Sequence, residues 1–205
     1  LSPRVQYQYR PSWSVPTRIN FSMGFYHQHP QYREFRNREG EINKGVTAQK
    51  SLQFITGIDR FLTLWGRPFI FTTQAYYKHL WDLNPYEIDN VRIRYYADNI
   101  AKGYASGLDI RINGEFIAGT QSWFSLGLLK TMEDIENDEN GYQRRPSDQR
   151  ITIGAFFEDH LPNDPSLRVY LNLNFGSGYP FGPPNNSVYR NAFSGDEYYR
   201  IDMGL

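Results

Sequence analysis

The sequence predicts an all-β chain, an antiparallel up-and-down transmembrane β-barrel segment of an outer membrane, from three observations. Runs of strict apolar and polar alternation recur along the whole chain, with the period of two that a strand requires. The connections between them alternate between short and long, as in a barrel with tight periplasmic turns and long outward loops. The 16 Tyr and 14 Phe supply rings that favour strands and membrane interfaces.

Nine strands follow, near residues 3 to 9, 17 to 27, 47 to 61, 68 to 79, 91 to 113, 121 to 131, 149 to 158, 166 to 175 and 198 to 205. In the second, Ile19, Phe21, Met23 and Phe25 share one face, and Asn20, Ser22 and Gly24 the other. The fifth sets Leu108, Ile110 and Ile112 against Gly107, Asp109, Arg111 and Asn113, and the seventh sets Ile151, Ile153, Ala155 and Phe157 against Arg150, Thr152 and Gly154. The pattern is cleanest in the eighth, where Leu167, Val169, Leu171, Leu173 and Phe175 oppose Arg168, Tyr170, Asn172 and Asn174. The short connections 10 to 16, 62 to 67, 114 to 120 and 159 to 165 carry the turn formers Pro11, Pro16, Gly66, Gly114, Gly119, Pro162 and Pro165. The long ones, 28 to 46, 80 to 90, 132 to 148 and 176 to 197, are rich in charge or in Gly and Pro.

Composition narrows the function classes. A formal net charge of +0 argues against a general nucleic-acid surface, and a mean hydropathy of -0.64 excludes a helical membrane protein but not a barrel with a polar interior. No stretch reaches the apolar length of a spanning helix, and the first residues lack the zones of a signal peptide. With Cys 0 there is no disulfide framework or thiolate metal site. An odd strand count leaves edges that lipid would penalise, so the 205 residues are expected to be one partial barrel domain of something larger.

Several segments resemble a known family. Leu1 to Arg4, Ala48 to Phe54, Ala75 to Lys78, Asn84 to Tyr96, Lys102 to Asp109, Arg145 to Arg150 and Phe175 to Pro184 are similar, in order and spacing, to the C-terminal barrel region of TonB-dependent outer-membrane receptors of Bacteroidetes type. The resemblance implies a 22-stranded barrel filled by an N-terminal plug in a Gram-negative outer membrane. It implies energy-coupled import of a scarce nutrient, whether siderophore, vitamin, peptide or glycan. The implied partners are outer-membrane lipid, the TonB transducer acting through the plug, the nutrient itself and a surface lipoprotein, with no nucleic acid and no cofactor. The plug and the last strands of that family have no counterpart in these residues, which end at Ile201 to Leu205.

Constellations suggesting chemistry are weak. His27 and His29 lie one residue apart and could share a metal, but nearby ligands are generic and the pair reads as a solvated loop. Glu136 to Gly141 imitates a calcium loop, yet Ser147 stands where the bidentate acid belongs. Gly176 to Gly182 runs into Pro183 and Pro184 with no helix to hold a phosphate. Adjacent acids such as Glu158 and Asp159 point opposite ways on a strand, so no catalytic residue is assigned and the chain is not read as an enzyme.

The ligand candidates lie in the long connections. Tyr32, Trp81, Tyr86, Tyr96 and Tyr142, with Phe35, Tyr95, Tyr179 and Phe181, could stack on a captured molecule, and Arg33, Arg36 and Arg94, with Arg92, could supply charge. An interface girdle is the competing role for any one of these rings. A soluble all-β carbohydrate-binding module is the alternative reading of the chain, and an outer-membrane hydrolase a third.

Overall fold

The computed structural model describes residues 1–89, 92–161, 164–183, 186 and 188–205. Nearly all regular structure is strand: β1 (Arg4–Tyr9), β2 (Thr17–Gln28), β3 (Gln49–Leu64), β4 (Arg67–Leu83), β5 (Tyr86–Asp89), β6 (Arg92–Tyr95), β7 (Ala101–Gly114), β8 (Ser122–Ile135), β9 (Gln143–Arg144), β10 (Ile151–Leu161), β11 (Asp164–Gly176), β12 (Pro180–Phe181), β13 (Phe193–Ser194) and β14 (Tyr198–Gly204), with one 3-10 turn at Tyr32–Phe35. Nine strands form an antiparallel sheet in the order β1-β2-β3-β4-β7-β8-β10-β11-β14, and β9 pairs with β8. Every neighbour along this path is the next long strand in sequence, which is the up-and-down meander expected. The sheet is not closed, since β1 and β14 stand at its two edges among the described residues.

Two expectations change. The expected strand over 91 to 113 is two elements: β6, which folds back on β5 as a separate hairpin, and β7, which begins only at Ala101. Between them Ala97 has φ 56, a left-handed conformation outside the extended region of a regular strand. Val91 and Pro162, named above in a strand and a turn, lie outside the described residues. The long connections also hold structure of their own, the hairpins β5/β6 and β12/β13 and the short β9.

Cross-strand register turns alternation into two continuous faces. Tyr9, Ile19, Ile58, Thr73, Ile110, Leu126, Ile153, Phe175 and Tyr199 lie in one row across all nine strands. The row two residues away adds Tyr7, Phe21, Thr56, Ala75, Leu108, Leu128 and Ile151. Neither row contains a charge or an amide. On the other face Gln8, Asn20, Gly57, Gln74, Asp109, Gly127 and Thr152 share a row, and side-chain hydrogen bonds run across it. Gln8 donates to Asn20 (3.1 Å), and Asn20 and Thr72 both donate to Asp59 (3.1 and 3.0 Å).

The polar face also carries the glycines of the strand interiors, and neighbouring side chains lie over them. A Cβ at Gly107 would strike the Tyr76 hydroxyl, one at Gly154 would meet Trp123 at 3.0 Å, and one at Gly204 would strike the Tyr170 ring. Glycine lets a strand bend and lets a ring fold down on it, so these positions favour curvature toward the polar side.

The apolar face is open. Phe21, Met23, Phe124, Leu128, Phe157, Leu167 and Leu171 are all exposed on it. At the short-turn end Trp65, Phe69, Phe116 and Phe157 form a chain with centroids 5.0 to 5.7 Å apart, edge-to-face at the first two contacts and tilted at the third. Phe69 is 1% exposed beneath this cluster. The turn itself is Trp65-Gly66, with φ 52 and 73, the two left-handed residues of the tight hairpin that joins β3 to β4. At the long-loop end a second set of rings lines the same face: Phe25 with Trp81 (6.1 Å), Trp81 with His79 (5.6 Å), Tyr77 with Tyr104 (6.2 Å) and Tyr104 with Tyr142 (5.5 Å).

Candidate ligand-binding rim

Antiparallel pairing puts all four long connections at one end of the sheet, where they bond to one another. Asn84, 2% exposed, ties the first two of them to each other and to β3: its Nδ2 donates to the Glu34 carbonyl (2.8 Å), its Oδ1 accepts from the Asp98 amide (3.3 Å), and its own amide donates to Gln49 Oε1 (3.4 Å). Asn99 accepts from the Thr47 amide (2.6 Å) and donates to the Asp82 carbonyl (2.6 Å), while Asn43 donates to the Ala97 carbonyl (2.9 Å). These asparagines do for the loops what backbone ladders do for the sheet. Buried loop backbone must find partners, and amides can both give and accept.

Two fully buried carboxylates anchor the rest. Glu133, near the end of β8, takes Arg145 Nε (2.9 Å) and Arg190 Nη2. Asp148 takes the Thr131 amide (2.6 Å), Arg144 Nε (2.8 Å) and Arg150 Nε (2.6 Å). Arg144 reaches on to Ser194 Oγ (2.8 Å), and Asn191 donates to the Arg144 carbonyl (2.7 Å), so the last long connection is clamped onto β8 and β9.

Three clefts surround the β5/β6 hairpin. The first, of about 450 Å³, opens on the polar face and is lined by Tyr26, Gln28, Gln53, Asn84, Tyr86 and Tyr95 among others. Its amides and phenols can exchange hydrogen bonds with a hydroxyl-rich molecule while the Tyr86 and Tyr95 rings, 5.7 Å apart, offer faces. The second, of about 490 Å³, lies between the 3-10 turn and β6 and is lined by Arg33, Arg36, Arg38, Arg92 and Arg94 with Asn37, Gly40, Ile93 and Tyr95. The third, of about 340 Å³, sets Tyr179 and Phe181 beside Glu87, Asp89 and Asp196.

The sequence candidates divide accordingly. Arg33, Arg36 and Arg94 converge on the second cleft, and Tyr86 lines the first. Tyr32 is 73% exposed and accepts a hydrogen bond from Arg36 Nη2 (3.0 Å), which holds its phenol below the usual tyrosine range. Tyr96 is partly buried, donates to Glu87 Oε1 (2.7 Å) and lies under the Arg38 guanidinium (4.4 Å). Trp81 and Tyr142 sit with the upper ring cluster on the apolar face, apart from the clefts. Sequence reasoning missed Arg38, although the spacing Arg33, Arg36, Arg38 marks a basic turn, and it missed Asn84, Glu133 and Asp148, whose roles depend on contacts 14 or more residues away for Asn84 and up to 57 residues away for Glu133. Among the described residues no group of three His, Cys, Asp or Glu side chains gathers as a metal site, and His27 Nδ1 lies 3.0 Å from Ser2 Oγ.

Burial first, and then the bond to Glu87, push the Tyr96 phenol up to about 12. A raised pKa means the folded state holds this proton more tightly, so its stabilising contribution is complete below the ordinary value of 10 and is lost as pH rises through 12. The tyrosinate absorbance should therefore contain a late step near that pH, absent from Tyr96→Phe. A Tyr96→Phe curve identical to that of the parent chain would place Tyr96 in solvent.

Comparison of the chain with protein-family models, with curated proteins and with solved structures finds no match.

Proposed function

We propose that this chain is an arc of an outer-membrane β-barrel, from a TonB-dependent receptor that captures a nutrient at its long-loop rim for energy-coupled uptake. The observation that carries the reading is the slanted apolar band between the two ring clusters. Relative to the row through Ile19 and Phe175, the apolar run of β2 (Ile19 to Phe25) is centred three residues toward the long loops, at Ser22. That of β11 (Leu167 to Phe175) is centred four residues toward the short turns, at Leu171. The band thus slips by about seven residues over the six strand-to-strand steps from β2 to β11. With a rise of ~3.3 Å per residue and strands ~4.8 Å apart, that slip corresponds to a strand tilt of roughly 40°. Membrane barrels tilt their strands by about 35 to 45°.

Band height agrees. Along β4 the lower cluster is at Phe69 and the upper rings run from Tyr77 to Trp81, eight to twelve residues on. At that tilt this spans roughly 20 to 30 Å, bracketing the ~25 Å apolar band between the aromatic girdles of such barrels. A soluble sandwich would cover this face with a second sheet and has no reason to slant its apolar residues.

The absence of cysteine provides a clean background for a topology test. Lys44→Cys, in the long connection after β2, should react in intact cells with a membrane-impermeant maleimide, and Ser12→Cys, between β1 and β2, only after the outer membrane is opened. Recovery of both variants in a detergent-free soluble fraction would remove the membrane assignment and promote a soluble carbohydrate-binding module.

A further inference from the structure

The geometry points to the arginine cleft as a binding site for a polyanion, a ligand presenting two or more clustered phosphate, sulfate or carboxylate groups. This assignment rests on the receptor reading above and specifies its ligand.

Five guanidinium groups line one cleft of about 490 Å³, and no carboxylate does so among the described residues. The segments that build it are not themselves basic. The turn carries Glu34, Glu39 and Glu41, and the hairpin Glu87 and Asp89, so the arginines could have been neutralised locally. Two of these acids bond within the turn and two pair with Arg38 and Arg94, which leaves Arg33, Arg36 and Arg92 as the cleft arginines with no ion pair among the described residues. Glu34 is buried with its Oε2 on the Gln31 amide (2.9 Å), and Glu41 Oε2 accepts from Asn37 Nδ2 (3.3 Å) while the Glu41 amide donates to Asn37 Oδ1 (2.8 Å). Glu87 takes Arg38 and the Tyr96 hydroxyl, and Asp89 takes Arg94 Nε (3.0 Å).

The cations are also positioned. Arg36 donates to the Gly40 carbonyl and the Tyr32 hydroxyl (both 3.0 Å), and Arg94 to Asp89 and the Arg38 carbonyl (3.0 and 3.4 Å). Each guanidinium carries five N–H donors, so each of these two retains three. A planar donor fork fixed at one edge presents its other edge to an oxyanion in the bidentate geometry that phosphate and carboxylate accept. Gly40, with φ 88, makes the turn that brings its carbonyl back to Arg36, and Arg36 bridges to Ile42 across it. Gathering Arg33, Arg36 and Arg92 in one cleft whose lining holds no carboxylate among the described residues opposes folding, and an anion bound among them offsets that repulsion.

The test is calorimetric titration of the protein, extracted in detergent, with inorganic tripolyphosphate, citrate and the neutral trisaccharide raffinose. Tripolyphosphate should bind, more weakly as salt rises, and raffinose should not compete for it. The Arg36→Gln, Arg92→Gln double variant should weaken binding at least tenfold, while Arg200→Gln, on the edge strand β14, should leave it unchanged. Should the double variant misfold, the exposed Arg33→Gln should still weaken binding. Equal affinity in parent and cleft variants, or no binding by the parent of either tripolyphosphate or a phosphorylated lipid A headgroup, overturns the assignment. Binding in lipid-free micelles identifies a dissolved anion as sufficient. Cleft-dependent binding only in nanodiscs containing a phosphorylated lipid A headgroup identifies the lipid as its source. If cleft-dependent binding holds while Lys44→Cys and Ser12→Cys label as in a soluble protein, the receptor reading fails and the site remains.

Discussion

Leu171→Arg should cost about 2 to 4 kcal/mol of folding stability in a bilayer, the penalty for a cation on the lipid face near the midplane. Leu171 is the centre of the apolar run in β11, faces Phe157 on one side and Met203 on the other, and is exposed on the apolar face. The control is its neighbour: Asn172→Arg places the same charge on the polar face, between Phe156 and Asp202, and should be nearly neutral. Denaturant titration of folding into lipid vesicles measures both. Equal costs at the two positions, or no cost at Leu171, would mean that the two faces do not meet different solvents.

An equally large effect is expected at the rim. Glu133→Ala removes the only carboxylate between Arg145 and Arg190 among the described residues, and Arg190 has its side chain 4% exposed. Breaking a buried pair by deleting one partner strands a cation and costs about 3 to 5 kcal/mol. Much of that cost can be avoided by releasing the segment that carries Arg190, so the expected outcome is local: faster hydrogen exchange and proteolysis within residues 177 to 197, with the β7/β8 pairing still protected. Restoring neutrality with Glu133→Ala and Arg190→Met together should recover part of the loss. Uniform loss of protection across the sheet would show that Glu133 supports β8 itself and not the clamp.

The legible part of the molecule was the part built from period two. All nine long strands and the alternation of connection lengths follow from side-chain alternation, because a strand buries or exposes residues by parity alone. The fifth strand misled because Arg92, Ile93, Arg94 and Tyr95 alternate as well as any membrane strand does, and Asp98-Asn99 gives only a weak break before Ala101. Parity cannot tell which partner a strand takes, and β6 takes β5. At the rim, the sequence revealed residue types but not their convergence. Arg33 and Arg94 lie on separate connections and meet where Asn84, Asn43 and Asn99 tie those connections together, contacts with no local signature. Trp81 and Tyr142 were open to a ligand role against a weightier interface role, and the register of β4, together with the ring contact to Tyr104, places them on the apolar face.

The slant of the apolar band also means that a rung of this ladder is not a level. Arg60 and Leu173 belong to one cross-strand row, through Phe71, Ile112, Phe124 and Ala155, yet they stand five strands apart. In the proposed barrel, at ~4.8 Å per strand and a tilt near 40°, the row would climb roughly 15 Å along the membrane normal over that distance. Arg60 would then emerge at the short-turn waterline while Leu173 stayed deep in the hydrocarbon. By the same staircase Lys130, four residues past Leu126 toward the loops and with its Nζ 5.9 Å above the Tyr104 ring, would surface at the opposite waterline. Two cations that would be misplaced in an upright sheet would mark the two shores of a tilted one.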